Sequence, residues 1–479
     1  MAVLLQIFMS IVVAIHTFYI AKFIRHRRFY AKLPGPPHSF LWGHLKLYGE
    51  TLALFPPLGH FQTVITTIVH KHKLPVIFYL DLWPLAAYLD PIIGKGNIVA
   101  ANGPRWKRLR DMLAPAFSAA KPVLLEHIIS ALAFDIIFKL IFGYPADAQA
   151  EKSADLRNLD AIIRREFAIR NSWNPLTKLR LRREKESAIK RLDKSIESKI
   201  RAWFDVVEHS GINVSNKRSL SIMDLIIREK ILDAKARVIP ARLDSDFLEL
   251  AVNNIKTLLL AGSGTTTSTL CFAFMLLSIH PPVVYRLLSE HARIFSSDVE
   301  AIHKLLQNEP QRLKELEYTA CIIKETLRIY PIGNSGRAPD DPGPITYKGK
   351  HYLTHANTLI CPVQQAWQVS ADVFPDPDSF NPDRFLDMDK TSMLAWQLFK
   401  RGNRVCIGQA LAMEEMKTVL LYTVQFFQLT CHGLKPNSKP RVPWTWMDLV
   451  FGDRAFQELL TKARPRDGMP MSVTRALPS

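Results

Sequence analysis

Apolar positions along this chain form two long runs and several shorter patterned ones. Residues 2–24 are mostly apolar, broken only by Gln6, Ser10, His16, Thr17 and Lys22. That length spans a bilayer as one helix. Residues 247–279 form the second run, and Asn253, Asn254, Lys256 and the polar block at 263–269 interrupt it. Those interruptions predict a helix ~50 Å long through a soluble core, not a second membrane span. His280-Pro281-Pro282 ends it. An amphipathic run at 407–426 predicts another helix. Residues 178–201 are strongly basic with interspersed acids at helical spacing. They read as a solvated helix with i,i+4 ion pairs, or as a contact with anionic lipid. Short apolar runs at 76–80 and 85–89, around Asp81-Leu82-Trp83-Pro84, predict a β-hairpin, and 352–363 predict a strand.

Charge orients the first run. RHRR at 25–28 follows it, so the positive-inside rule puts the following chain in the cytosol and Met1 on the far side. A cleaved signal peptide is disfavoured, because the positive charge follows the apolar run and no small-residue cleavage site is evident. Tyr19, Phe29 and Tyr30 suit an interfacial belt. LPGPP at 33–37 cannot be helix or central strand and reads as a stiff hinge. The expected organisation is an anchor at 1–24, a basic and proline-rich hinge at 25–37, and one large body at 38–479.

The net charge is +18, from 62 Lys and Arg against 44 Asp and Glu. It implies an acidic partner or an anionic membrane surface. No zinc-finger spacing or RNP motif is present, so nucleic acid is not the expected partner. The five cysteines are scattered and odd in number, which argues against a disulfide framework and for a reducing compartment. The NVS sequon at 213–215 is expected to go unused, being cytosolic by this topology.

The chemistry centres on FKRGNRVCIG at 399–408. Phe399, Gly402, Arg404, Cys406 and Gly408 stand at the spacing F-x-x-G-x-R-x-C-x-G. A thiolate is the metal-binding form of cysteine, and a nearby Arg or a helix start favours that form. Arg404 precedes Cys406 by two residues, and the 407–426 helix begins directly after it. Gly402 and Gly408 allow a tight turn and close approach to a flat ligand. The stretch therefore reads as a thiolate presented by a loop at a helix start, suited to haem iron. The plainer alternative is a small core cysteine. Zinc is disfavoured, since no second Cys or His lies nearby at ligand spacing.

This stretch resembles the haem-binding loop of the cytochrome P-450 haem-thiolate monooxygenases, membrane-anchored microsomal type, and further segments extend the resemblance in order. LPGPP resembles the hinge after the anchor. Trp106 and Arg110, W-x-x-x-R, match residues that bond a haem propionate. AGSGTTTST at 261–269 resembles the oxygen-binding segment A-G-x-D/E-T-T, a competing phosphate loop being excluded by the missing Lys. Thr265 and Thr266 fall on the threonine positions and Gly264 on the acidic one. Glu325 and Arg328, in KETLRIY, and Arg384, in FNPDRF, match a structural Glu–Arg–Arg network. Arg337 matches another propionate contact. The tail at 463–473 looks like that of filamentous-fungal members.

Two intervals are short by comparison. Residues 92–105 alone separate Pro91 from Trp106, and residues 119–133 alone separate Ser118 from FDIIFKLIFG at 134–143. The body is thus expected to be shortened near 91–92 and 118–133, from a truncated gene or a degenerate protein.

The resemblance implies a mainly α fold with a small β-rich part behind one transmembrane helix, in the endoplasmic reticulum membrane with the body cytosolic. It implies haem b held by Cys406 as metal ligand, with Trp106, Arg110, Arg337, Phe399, Gly402, Arg404, Gly408, Ala261 and Gly262 around it. Thr265 and Thr266 take the catalytic positions. Electrons come from NADPH through a cytochrome reductase, and one atom of O2 enters a small apolar substrate, as in secondary metabolism. Lys400, Arg401 and Lys417 are candidate reductase contacts or a solvated face. Gly264 has no proton to relay, which implies leakier oxygen activation. Two alternatives stay open: a haem-thiolate isomerase or dehydratase needing neither oxygen nor reductase, and a membrane-anchored pseudoenzyme with a damaged pocket.

Overall fold

The computed structural model describes residues 21, 23–25, 27–28, 31–56, 59, 61–75, 77–80, 123–150, 153–210, 221–333, 343–353, 360, 362–388, 390–402, 405–442, 444–459 and 463–475. Residues 2–20 of the expected anchor, Trp106, Arg110, Arg337, Arg404 and both shortened intervals except 123–133 lie outside them. So do 85–89 of the expected hairpin. Residues 77–80 form no strand; the Tyr79 amide instead donates to Pro34 O at 2.7 Å.

Helices dominate. In chain order they are α1 (Leu45–Leu52), α2 (Phe61–His72), α3 (Leu125–Phe142), α4 (Ala154–Asn171), α5 (Pro175–Ser210), α6 (Ile222–Ala236), α7 (Ser245–Leu277), α8 (Pro281–Ile294), α9 (Val299–Asn308), α10 (Glu317–Ile329), α11 (Gln364–Gln368), α12 (Lys390–Ala395), α13 (Gln409–Val424) and α14 (Met447–Phe451). The β part comprises β1 (Val123–Leu124), β2 (Pro344–Tyr347), β3 (Lys350–Leu353), β4 (Phe427–Cys431), β5 (Gln457–Leu459), β6 (Ala463–Pro465) and β7 (Pro470–Arg475). They form an antiparallel sheet of order β1-β7-β4 and two ribbons, β2-β3 and β5-β6. The C-terminal tail thus makes strands, and β7 sits centrally, pairing Met471 with both Val123 and Cys431. Of the strand expected over 352–363, Tyr352 and Leu353 end β3, while 354–359 and 361 lie outside the described residues.

The long helix α7 organises the packing. Asp244 caps it, accepting the Phe247 amide at 2.9 Å, and the prolines at 281 and 282 open α8 after it. Its first half joins α3, α5 and α6 in one core, through Ile255, Leu259, Ile137, Leu192 and Ile227. Its second half joins α10 and α13 in another, through Leu270, Phe274, Ile322, Met416 and Leu420. Each such fully buried side chain contributes ~1.5–3 kcal/mol. The hydroxyl-rich block lies between these two cores. Among the described residues, α7 is the one helix long and apolar enough to cross a membrane, but 72% of its apolar window is buried inside the protein.

The basic helix α5 pairs part of its charge. Arg201 bonds Glu197 one turn away, while Lys185 reaches Glu166 and Lys199 reaches Asp155 on α4. Pairs of this kind are what a solvated helix makes. In the basic cluster after the first apolar run, Arg25 and Arg28 are exposed, whereas Arg27 is buried and donates to Leu41 O at 3.2 Å.

Candidate functional site

The cysteine loop is closed by its own backbone. The Cys406 amide donates to Phe399 O at 2.8 Å, and the Gln409 amide to Cys406 O at 3.3 Å. Between the two ends of the first bond, Lys400 and Gly402 take positive φ values of 67° and 69°. Glycine adopts that conformation without strain, which is why the turn falls at 402. Gly408 is the N-cap of α13 and has only the Cys406 sulfur near the place of its missing Cβ, at 4.0 Å. The loop therefore holds the sulfur at the positive end of a helix. Half-buried Phe399 packs beside Trp396, with ring centroids 5.9 Å apart, and fixes the loop to the core.

Glu325, Arg328 and Arg384 form a buried network. Arg328 makes a two-pronged bond to Glu325, at 2.8 and 2.9 Å, and Arg384 Nε donates to Glu325 Oε1 at 3.1 Å. Glu325 and Arg328 are completely buried. Their remaining capacity is used: Arg328 donates to the carbonyls of Gln368, Pro377 and Ser379, and Arg384 to those of Pro375 and Asp376. A buried charge cluster so fully bonded fixes the 368–384 segment against α10.

On α7, six hydroxyls in seven residues donate to the carbonyl one turn back: Ser263, Thr265, Thr266, Thr267, Ser268 and Thr269. Five of these bonds measure 2.7–3.1 Å; that of Thr266 to Gly262 O is 3.3 Å. Glu415 on α13 lies near Thr266. Burial pushes the Glu415 carboxyl up to about 7, and the Thr266 hydroxyl pulls it partway back. Ala261 is exposed and Thr265 half-buried, so this face of the helix is left open. Gly262 points the other way: a Cβ there would lie 2.8 Å from Ile137 Cγ1 on α3.

Glu415 is a residue the sequence reading passed over. Its signal was an acid on the apolar side of α13, with Leu411 and Ala412 a turn before it and Val419 a turn after. Lys417 needs a correction. Its ammonium is buried and donates to Leu313 O at 2.8 Å, so it is not on offer to a partner protein. Of the three basic residues grouped near the loop, Arg401 is exposed and Lys400 half-buried.

The donor chemistry suits haem. Cys271, Cys321 and Cys431 are buried, while Cys406 is exposed, so it alone among the described cysteines offers its sulfur to a ligand. Burial pushes the Cys321 and Cys431 thiols up to about 11, which makes them poor ligands. Among the described residues no group of three or more His, Cys, Asp or Glu side chains gathers into a metal site. A lone exposed thiol beside a closed loop matches a metal whose other ligands are its own macrocycle. A separate cavity of about 460 Å³, between α3, α4 and the turn before β7, is lined by Glu126, His127, Arg157, Asp160, Arg464 and Asp467. It excludes Cys406, and Leu124, Leu156 and Ile163 add apolar wall to it.

Comparison with known proteins bears on this site. A family model described as cytochrome P-450 matches residues 118–452, which include Cys406, Glu325 and the α7 block. The chain is similar to cytochrome P-450 monooxygenase acrF of Aspergillus aculeatus, 27% identical over 504 aligned positions, covering 86% of this chain and 97% of that protein. It is similar to monooxygenase polC of Polytolypa hystricis, 24% identical, covering 97% and 93%. Both alignments are longer than the 479 residues of this chain, so each relative has residues for which this chain has none. Among solved structures, a cytochrome P-450 haem domain superposes with a TM-score of 0.62 at 18% identity, covering 93% of this chain and 98% of that one.

Proposed function

The chain belongs to the cytochrome P-450 family, and on that premise we propose that it is a membrane-anchored haem-thiolate monooxygenase. It inserts one atom of O2 into a small apolar organic substrate, with electrons from NADPH through a cytochrome reductase. The observation that carries this reading is the exposed Cys406 in its closed loop at the start of α13. The names of the fungal relatives, all monooxygenases, support the reaction class.

Haem b bound at Cys406 supplies the activation of dioxygen. This chain's residues do the rest. Cys406 is the metal ligand, and Phe399, Gly402, Arg404 and Gly408 shape the loop around it. By the family resemblance, Trp106, Arg110 and Arg337 would hold the propionates. Ala261 and Gly262 leave room on α7, where Thr265 and Thr266 present hydroxyls. Glu325, Arg328 and Arg384 keep the loop's floor rigid. Residues 2–24 tether the body to the endoplasmic reticulum membrane, with 25–37 as hinge and the body in the cytosol. Its setting is secondary metabolism, which the resemblance of the tail at 463–473 to filamentous-fungal members supports.

The experiment is turnover in membranes containing the full chain and a reductase, with isotopically labelled dioxygen. One labelled oxygen in the product, dependent on NADPH, is expected. Turnover without NADPH would replace the proposal with an isomerase or dehydratase, and a chain that takes up no haem would replace it with a pseudoenzyme.

A further inference from the structure

A buried cation bolts the end of the first apolar run to the body. The described residues of 21–28 are helical, and Phe23 and Arg27 stand one turn apart on one side. Arg27 is 1% exposed, lies over the Phe23 ring at 5.0 Å and donates to Leu41 O at 3.2 Å. Phe23 in turn meets Phe40 edge-on, with ring centroids 6.3 Å apart. Resting on the membrane-anchored reading, we infer that Phe40 and Leu41 are a second contact with the bilayer, held at its anionic surface by Arg27, so that the body does not swing on its proline-rich segment.

Three observations carry it. First, Phe40 and Leu41 are adjacent and 53% and 58% exposed. A lone apolar residue on a surface needs no explanation, but this pair continues, through Phe23, the apolar surface of the anchor. Second, the charge around the pair has one sign. Arg25, Arg28 and Lys32 are exposed, and the chain has no acid before Glu50, which Lys46 meets at 3.9 Å. An apolar tip with a cationic rim suits the boundary between headgroups and acyl chains of an anionic leaflet. Third, the proline-rich segment is tied down on both sides. The Tyr79 amide donates to Pro34 O at 2.7 Å, and His44 Nε2 donates to Pro36 O at 3.0 Å. A Cβ at Gly35 would lie 2.6 Å from Tyr79 O. Ser39 and Gly43 exchange backbone bonds of 2.9 and 2.6 Å, which close the turn that presents Phe40 and Leu41.

The tilt of the body therefore follows the direction of the anchor. Phe40 and Leu41 enter the interfacial layer beside it, and lipid phosphates pair with Arg25, Arg28 and Lys32. Arg27 faces the protein instead and supplies the joint. Without it the anchor still spans the bilayer, but the Ser39–Gly43 turn is no longer drawn onto the helix end.

The test reconstitutes the full chain in vesicles of phosphatidylcholine, with and without phosphatidylserine. The photo-cross-linker p-benzoylphenylalanine replaces Phe40, Phe8 within the anchor, or Tyr285, which is 76% exposed on α8. After illumination, mass spectrometry identifies what each position has captured. Phospholipid adducts are expected at Phe40 and Phe8 and not at Tyr285, with the yield at Phe40 higher when phosphatidylserine is present. Arg27→Gln should lower the yield at Phe40 about fivefold and leave that at Phe8 unchanged. Phe23→Leu, which removes the ring beneath Arg27 and beside Phe40, should act in the same direction if Arg27→Gln does not fold. Adducts at Phe8 without any at Phe40, or capture of protein at Phe40, whether a second copy or a reductase, would overturn the second contact and leave the anchor standing. Equal yields at Phe40 in the native chain and in the folded variant would overturn the role of Arg27. No lipid adduct at Phe8 would overturn the membrane-anchored reading itself.

Discussion

Gly262 on α7 lies against Ile137 on α3 so closely that a Cβ at 262 would come within 2.8 Å of Ile137 Cγ1 and 2.9 Å of its Cδ1. The two helices reach this separation because position 262 has no side chain. Sequence resemblance placed Gly262 beside the cofactor; its missing side chain also sets the packing of the helix that carries Thr265 and Thr266.

Gly262→Ala should therefore destabilise the protein by about 1–3 kcal/mol through overpacking. Ile137→Ala removes the clashing atoms and costs about 2–5 kcal/mol as a cavity. Together the two changes should cost clearly less than their sum, measured by urea denaturation at equilibrium. Strict additivity would mean that the contact is not what holds α3 and α7 apart.

Removing Glu325 strands two buried guanidiniums. Glu325→Ala should cost about 3–5 kcal/mol, because Arg328 and Arg384 lose their shared carboxylate. Arg328→Lys should also be poorly tolerated, since an ammonium cannot reproduce the two-pronged bond or reach three carbonyls. Yield of folded protein and denaturation midpoint both report this. A midpoint within error of native in Glu325→Ala would refute the network's structural role.

The same residues show how much the sequence made legible. Glu325, Arg328 and Arg384 could be grouped from short motifs, because E-x-x-R is local and the second arginine carries its own flanking pattern. Cys406 was legible for the same reason, and α7 followed from its length and polar interruptions. Glu415 was not, because the burial that raises its carboxyl comes from segments distant in the chain, Thr266 among its neighbours 149 positions earlier. Lys417 was misread because charge suggests a surface, whereas the fold turns its ammonium onto Leu313 O. Contacts between distant segments leave no local trace, and the β1-β7-β4 sheet order is another such case.

His291 gives the fold a built-in acid sensitivity. It is buried, with Nε2 against Thr319 Oγ1 at 3.0 Å, and burial lowers it from 6.5 to about 4. The folded state thus favours the neutral ring. Its stabilising effect is complete above pH 6.5 and is lost as pH falls through 4, on the order of 3 kcal/mol in total. His291→Gln should flatten the fall in melting temperature between pH 6.5 and 4. An unchanged slope would assign that acid sensitivity to other groups.

Glu415 has the opposite sign. Its carboxyl is raised to about 7, so the folded state is favoured at low pH and loses stability as pH rises from 4.5 through 7. Glu415→Gln should raise the melting temperature at pH 8 and leave it nearly unchanged at pH 4.5. A variant less stable than native at pH 8 would contradict this.

The most direct test of the account is the difference spectrum of the reduced, carbon-monoxide-bound protein, native and Cys406→Ser side by side. The account predicts the red-shifted thiolate band in the native protein and its loss in Cys406→Ser. A native protein showing only the shorter-wavelength band of a non-thiolate haem, or no band, would contradict the assignment of Cys406 as the iron ligand.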